Sequence, residues 1–253
     1  MIQGLAEFLP ISSSGHLVFF QSFLGLKEPP LFFDVMLHVS TLLAVLLFFR
    51  KDILKVLRGG IAIIKRREGG QEEKLLLLWI VLACLPTGLI GLLFRDWFET
   101  LFSRPKMVGI MFFITGVGLW LTRWATQKGR VLKEMGWRDA LWVGMAQGIA
   151  IIPGISRSGA TISTALLRGL DRELSGRFSF LISIPAVLGA TLLEWKKIGA
   201  SPEWSTLLIG MGAALGTGLL SLTFLMKVVR IGKISHFSYY CFGMGGLTLF
   251  LTL

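Results

Sequence analysis

The chain has 253 residues, 53% of them hydrophobic and 16% charged, with mean hydropathy +0.71 and a formal net charge of +11. A soluble domain carries about 25% charged residues, so this composition excludes a soluble globular protein and indicates an integral membrane protein. The net charge would suit nucleic acid, but in such a chain it reports lysines and arginines in loops facing the cytoplasm and anionic lipid. Membrane lipid is therefore an expected partner and nucleic acid is not.

The first element is residues 1–24. It holds Gln3-Gly-Leu-Ala-Glu7-Phe-Leu-Pro10-Ile-Ser12-Ser13-Ser14-Gly15-His16, a polar break between two apolar limbs. Each limb is too short to span a bilayer, which needs about 20 apolar residues. The reading is a re-entrant helix–loop–helix hairpin, since irregular backbone at membrane depth survives only inside protein or beside a watery cavity. No cleavable signal is expected, because Met1 runs almost directly into this motif.

Three predicted spans follow, at residues 31–49, 75–94 and 107–125. Between the first two, residues 50–67 mix Ile53, Leu54, Val56, Leu57, Ile61, Ile63 and Ile64 with basic residues. That pattern predicts an interfacial amphipathic helix, broken at Gly59-Gly60. Residues 68–74 read as a polar turn. Residues 95–106 read as a loop whose Trp97 suits the aromatic belt, as does Trp204 after the loop 196–204. Cys84 and Cys241 lie in apolar runs without metal-ligand spacing and read as packing residues.

Residues 126–138 form a linker. Residues 139–170 then carry a second polar break, Gln147-Gly-Ile-Ala-Ile-Ile-Pro153-Gly154-Ile-Ser156-Arg157-Ser158-Gly159-Ala-Thr161. Set Gln3 over Gln147 and seven of thirteen positions are identical without a gap: Gln3, Gly4, Ala6, Ile11, Ser12, Ser14 and Gly15. This argues for an internal duplication. Three more spans are predicted at 174–193, 205–226 and 237–253, with Gly210, Gly212, Gly216 and Gly218 permitting close helix packing.

A hairpin returns the chain to its starting face and three spans carry it across. The second hairpin must then enter from the opposite face. The predicted fold is an all-α membrane protein built as an inverted-topology repeat, residues 1–125 and 139–253, each one re-entrant hairpin plus three transmembrane helices. Such repeats place their site near the midplane, where broken helices meet. Six Lys and Arg lie on the N-terminal face and nineteen on the other. The positive-inside rule makes the second face cytoplasmic. Both termini and the 126–138 linker are thereby assigned, the termini outside and the linker inside.

The two tips carry the chemistry. Gln3 and Glu7 share one helical face, and an acid inside the membrane is by default functional, although Glu7 could also sit at the outer interface. Serines opening a limb are ordinary N-caps; the same geometry offers N–H groups and a positive dipole end to an anion. His16 is either a structural hydrogen-bonder or a proton carrier near Ser13 and Glu7. Arg157 needs a partner, either a carboxylate such as Glu7 or an anionic ligand, and its fork suits phosphate. Asp34 and His38, four apart on the first span, could line the cavity or pair structurally. An acid, a hydroxyl trio, a histidine and an arginine together suit phosphoryl transfer better than cation transport.

Glu7-Phe-Leu-Pro-Ile-Ser-Ser-Ser-Gly-His16 with upstream Gln3, and Pro153-Gly-Ile-Ser-Arg-Ser-Gly-Ala-Thr161, closely resemble the two signature motifs of the bacterial undecaprenyl-diphosphate phosphatase family of bacitracin-resistance type. The resemblance covers essentially the whole chain. It implies a multi-pass enzyme of the bacterial plasma membrane with its site open to the outer face. The implied reaction hydrolyses undecaprenyl diphosphate to undecaprenyl phosphate and phosphate, recycling the lipid carrier of peptidoglycan synthesis. It implies Mg²⁺ or Ca²⁺ as cofactor. The family's acidic pair falls on Gln3 and Glu7 as metal ligands, its nucleophile on Ser13, its histidine on His16 and its arginine on Arg157. Ser12, Ser14, Gly154, Ser156, Ser158, Gly159 and Thr161 are then the phosphate-binding candidates, and a homodimer is an open option. Two departures stand out. Gln3 replaces the commoner Glu, leaving one fewer anionic ligand. The first limb is short, about 12 Å at 1.5 Å per residue, which reads as a truncated start. The rival class is a transporter or flippase for an anionic lipid, an architecture that inverted repeats also serve.

Overall fold

The structure, a computed structural model, describes residues 1–25, 31–66, 70–126, 128–195 and 203–252. The elements are α1 (Ile2–Phe8), α2 (Ser13–Leu24), α3 (Leu31–Phe48), α4 (Arg50–Ile64), α5 (Gln71–Leu93), α6 (Arg95–Phe102), α7 (Pro105–Leu121), α8 (Trp137–Ile149), α9 (Arg157–Leu167), α10 (Arg172–Trp195), α11 (Trp204–Arg230) and α12 (Phe237–Phe250). Short 3₁₀ turns lie at Thr122–Trp124, Leu132–Glu134 and Ile234–His236. The fold is all-helical among the described residues, apart from one isolated bridge between Arg130 and Leu170.

Among the described residues, four helices are long and apolar enough to cross a membrane: Gln71–Leu93, Pro105–Trp124, Arg172–Glu194 and Trp204–Arg230. The other two expected spans are shorter. α3 has 18 residues and α12 has 14, about 27 and 21 Å against a hydrocarbon core of about 30 Å. α3 passes into α4 through an 81° bend.

Burial follows the apolar pattern. Phe8, Phe178, Phe180, Ile162, Leu222 and Leu225 are fully buried in one core that draws on both halves of the chain. Phe8, at the end of α1, meets Phe180 of α10 edge-on at 5.9 Å, and Phe49 stacks on the same ring at 5.6 Å. Edge-on and offset aromatic pairs add about 0.5–1.5 kcal/mol each beyond area burial. The last turn of α1, which carries Glu7, is thereby anchored.

Helix partners alternate between halves. α1 packs on α11 and α8 on α5; α3 packs on α10, and α7 on α12. Glycines set the closest of these approaches. A Cβ on Gly4 would lie 2.2 Å from Thr217 Oγ1, and one on Gly144 would lie 2.1 Å from the Ala83 carbonyl oxygen.

Some expectations need correction. α4 runs unbroken through Gly59-Gly60: a Cβ on Gly59 would lie 2.5 Å from the Glu73 carbonyl oxygen, so this glycine serves contact with α5 rather than a break. Residues 95–106 are not a plain loop. Residues Arg95–Phe102 form α6, with Phe98 and Leu101 buried against Ala150, Ile152 and Ile155. α5 begins at Gln71 and absorbs the second half of the expected polar turn. Of the four α11 glycines, Gly210 and Gly218 meet Phe33 and Phe8, whereas Gly212 and Gly216 face open space. Lys27 and most of the loop before Trp204 lie outside the described residues.

Candidate active site

Two helix starts face each other. α2 opens with Ser12 as N-cap, whose Oγ accepts the Gly15 N–H at 3.2 Å. α9 opens with Ser156, whose Oγ accepts the Gly159 N–H at 3.1 Å. Each cap also has a hydroxyl neighbour two residues on, Ser14 at 3.4 Å and Ser158 at 3.3 Å. A cap satisfies one of the orphan amides of a first turn; the remaining N–H groups give each limb its anion-binding character.

The tips touch. Ser12 Oγ donates to the Ile155 carbonyl at 3.3 Å. A Cβ on Gly15 would lie 2.7 Å from Phe112 and 2.9 Å from Gly154 Cα. Gly154 has φ +96, and a Cβ there would lie 2.6 Å from the Val108 carbonyl oxygen, so glycine is required on both counts. Ser12 holds φ 65 without being glycine, a conformation that costs on the order of 1–3 kcal/mol and is retained where the surroundings impose it. Each loop is also clasped from behind. Thr115 of α7 donates its hydroxyl to the Gly154 carbonyl at 3.0 Å and accepts the Ser156 N–H at 3.1 Å. Cys241 of α12 donates its thiol to the Pro10 carbonyl at 3.5 Å. Cys241 is thus a hydrogen-bonding residue as well as a packing one.

Glu7 is the hub. One oxygen, Oε1, accepts Arg157 Nη2 at 2.7 Å; the other, Oε2, accepts Ser13 Oγ at 2.8 Å and Gln3 Nε2 at 3.2 Å. The Glu7 side chain is 11% exposed and that of Arg157 is 17% exposed. Of the two partners foreseen for Arg157, the carboxylate is present. The guanidinium is not used up: Nη1 is buried without a hydrogen-bond partner. Leaving such a donor unsatisfied costs about 1–3 kcal/mol, more for a charged group, and an anion arriving at the tips would recover it.

Other expected residues fall elsewhere. His16 is 4% exposed, and its ring hydrogen-bonds Ser12 and Tyr240 rather than Ser13 or Glu7. Its Nδ1 lies 2.7 Å from the Ser12 carbonyl, which can only accept, so Nδ1 carries the proton. Nε2 then accepts from the Tyr240 hydroxyl at 2.6 Å, with the rings stacked 5.7 Å apart. His16 therefore braces the first tip from behind. Thr161 is fully buried, donating to the Arg157 carbonyl at 2.8 Å and sharing a hydrogen bond with Ser179 at 2.5 Å. It stiffens the first turn of α9.

Sequence reading left His38 and Asp34 open, and the geometry brings them to the site. His38 Nδ1 accepts from Gln3 Nε2 at 3.2 Å and lies 4.0 Å from Glu7 Oε2; its Nε2 faces Asp34 Oδ2 at 3.7 Å. Tyr240, Thr115 and Ser179 carried no motif signal; each sits inside an apolar helix with nothing in its spacing to mark it.

No group of three or more His, Cys, Asp or Glu side chains among the described residues is placed to hold a metal ion. The donor set does fit a cation that takes most of its ligands from substrate. Gln3 directs its amide N–H groups to Glu7 and His38, so the anionic oxygens on offer here are those of the Glu7 carboxylate. Mg²⁺ is commonly bound by one or two carboxylates plus phosphate oxygens and waters rather than by a protein cage.

Over residues 1–247 the chain matches the family described as Bacitracin resistance protein BacA. It is 43% identical over 262 residues to an undecaprenyl-diphosphatase of Desulfatibacillum aliphaticivorans, covering 98% of this chain and 95% of that protein. It is 44% identical over 257 residues to that of Carboxydothermus hydrogenoformans, covering 99% and 94%. It is 41% identical to undecaprenyl-diphosphatase 2 of Bacillus thuringiensis, covering 98% and 94%.

Proposed function

The chain belongs to the bacitracin resistance protein BacA family, and from that premise we propose that it is a membrane phosphatase hydrolysing undecaprenyl diphosphate to undecaprenyl phosphate and inorganic phosphate. The observation that carries the reading is the Glu7 carboxylate, which holds Ser13 of one tip and Arg157 of the other. A base is hydrogen-bonded to a hydroxyl, and the same carboxylate holds a guanidinium whose Nη1 is buried and without a hydrogen-bond partner. This is the constellation that phosphoryl transfer uses: positioning plus charge stabilisation.

In this mechanism the diphosphate lies between the tips with its polyprenyl chain in lipid. Arg157 and the first-turn amides of α2 and α9 bind the phosphate oxygens. Glu7 Oε2 takes the proton of Ser13 Oγ as Oγ attacks the terminal phosphorus. The bond to the bridging oxygen breaks, and undecaprenyl phosphate departs with that electron pair. Glu7 passes its proton to the departing phosphate; water then attacks the phosphoserine, loses a proton to the carboxylate so freed, and phosphate leaves as Glu7 returns that proton to Ser13 Oγ. In the variant mechanism Ser13 aligns the attacking water and Glu7 deprotonates it directly; the residues and their roles in holding substrate are the same. Gln3 and Glu7 would hold a divalent cation by their oxygens, and the cation would neutralise diphosphate charge.

The finer architecture belongs to the same proposal: two inverted repeats, each a re-entrant hairpin and three spans, with the tips meeting at mid-membrane and the site opening to the outer face. Pairwise correspondences support it. The 144-residue offset that relates Gln3 to Gln147 also relates their partners: Gln3 bonds His38 and Gln147 bonds the Ile182 carbonyl. It relates the clasped carbonyls Pro10 and Gly154 as well. In the second half Ile151 stands where the first has Glu7, so one tip supplies the base and the other the cation. Plasma-membrane location, external termini and the role in recycling the cell-wall lipid carrier are parts of this reading. The test is phosphate release from purified protein given undecaprenyl diphosphate. Loss of release in Glu7→Gln and Ser13→Ala is expected; unchanged release in both would displace the site.

A further inference from the structure

A second polar cavity lies at the far end of α3. From His38 to Phe48 is ten residues, about 15 Å along the helix axis. There, at the 81° bend into α4, a cavity of about 580 Å³ is lined by Arg50, Lys51 and Lys55 of α4, Arg177 of α10 and Arg230 of α11, with Asp52 and Glu173 as acids. Both acids are already committed. Asp52 pairs with Arg177, and Glu173 accepts Arg230 at 3.2 Å. Arg50, Lys51 and Lys55 make no ion pair among the described residues, so the lining carries three positive charges beyond those its two acids pair with.

Its rim is apolar. Leu47 and Phe48 are 44% and 37% exposed, and Phe49 and Met226 close the back. α4 continues the rim. Leu54, Leu57, Ile61 and Ile64 are exposed along one face at helical spacing, while Ile53 and Val56 pack against the core. A helix with an outward apolar stripe beside a basic one (Lys51, Lys55, Arg58) lies in the plane of the membrane interface. The cavity therefore opens at headgroup depth, its cations toward phosphate and its rim toward acyl chains.

We propose that this cavity binds the phosphate headgroup of an anionic membrane lipid, whose acyl chains run over Leu47, Phe48 and the outer face of α4. The site is separate from the tips and does not depend on the phosphatase reading. Charge complementarity selects the occupant. A zwitterionic headgroup brings its own cation and no net charge to the three free cations, and free phosphate gains nothing from the apolar rim.

The test is native mass spectrometry of protein released from nanodiscs of equal phosphatidylglycerol and phosphatidylcholine. Wild type is expected to retain phosphatidylglycerol selectively. The triple variant Arg50→Gln/Lys51→Gln/Lys55→Gln should lower that retention on the order of a hundredfold, each charge near an anionic surface contributing roughly fivefold. Phosphate release from undecaprenyl diphosphate in detergent should be unchanged in this variant. If the triple variant fails to fold, Lys51→Gln and Lys55→Gln taken singly carry the test, with about a fivefold fall expected from each. Equal retention by wild type and variants overturns the proposal. So does equal retention of the two lipids by wild type, or stripping of the lipid by excess inorganic phosphate, which would make the cavity a site for phosphate alone.

Discussion

Arg157 and Ser13 occupy the same place in the two tips, yet they are chemically unequal, and Glu7 joins them. Arg157→Lys keeps the charge but loses the planar fork that serves Glu7 and a phosphate oxygen at once. A ligand held by charge alone tolerates that change; a transition state needing aligned donors does not. Arg157→Lys is therefore expected to fold and bind diphosphate while losing about 3–4 kcal/mol of transition-state stabilisation, on the order of 10²–10³ in kcat. His16 gives a contrasting prediction. Because it donates to the Ser12 carbonyl and accepts from Tyr240, it is a positioning residue. Tyr240→Phe should lower stability by about 1–3 kcal/mol, leaving Nε2 unpaired, with turnover reduced only several-fold and the pH profile unmoved. A displaced pH–rate profile in Tyr240→Phe would return His16 to the proton-transfer step.

At the scale of elements, the hairpins hold their tips in contact by small residues. Gly15→Ala puts a methyl 2.9 Å from Gly154 Cα and 2.7 Å from the Phe112 ring. The ring can shift but backbone cannot, so the tips must part. The variant is expected to melt within a few degrees of wild type yet release little phosphate; full activity would show that tip contact is dispensable. The tips were legible in sequence because their serines, glycines and single charges interrupt apolar runs, and the repeat marks them twice. Their supports were not legible. Tyr240, Thr115 and Cys241 act through one atom each, from helices whose burial pattern is otherwise uniformly apolar. α6 was hidden for a different reason: Arg95, Asp96 and Glu99 mask Phe98 and Leu101 in a segment of eight residues. Gly59-Gly60 misled because glycine both breaks helices and lets them approach, and only the neighbouring α5 decides between the two.

At the scale of the molecule, charges outside the apolar core tie the linker to the second half. Asp139, in the first turn of α8, accepts Arg130 through both oxygens at 2.9 and 3.0 Å and Arg168 at 2.9 Å. Burial alone would raise its carboxyl; hydrogen bonds from Arg130, the Gly136 N–H and Arg168 hold it below the usual carboxylate range. A lowered carboxylate contributes stability above its unfolded value, and that contribution is lost as pH falls through the folded one. The melting temperature should therefore fall below about pH 4 in wild type and respond less in Asp139→Asn. That variant should itself be destabilised by about 1–3 kcal/mol through its weakened buried hydrogen bonds, because Arg130 and Arg168 are each 39% exposed and water screens the charge they retain. An identical acid response in both would remove Asp139 from the account. Orientation is tested separately: a cysteine replacing Lys65 should resist an impermeant maleimide applied outside intact cells, and labelling there would invert the topology.

The central claim is that one carboxylate couples a hydroxyl from the first tip to a guanidinium from the second. The most direct measurement is a single-turnover assay of phosphate release from undecaprenyl diphosphate at saturating enzyme, with Mg²⁺ present, comparing wild type, Glu7→Gln, Ser13→Ala and Arg157→Lys. The account predicts that wild type completes the turnover while each variant binds the lipid and slows by on the order of 10² or more. Release at near wild-type rates by all three variants would contradict it.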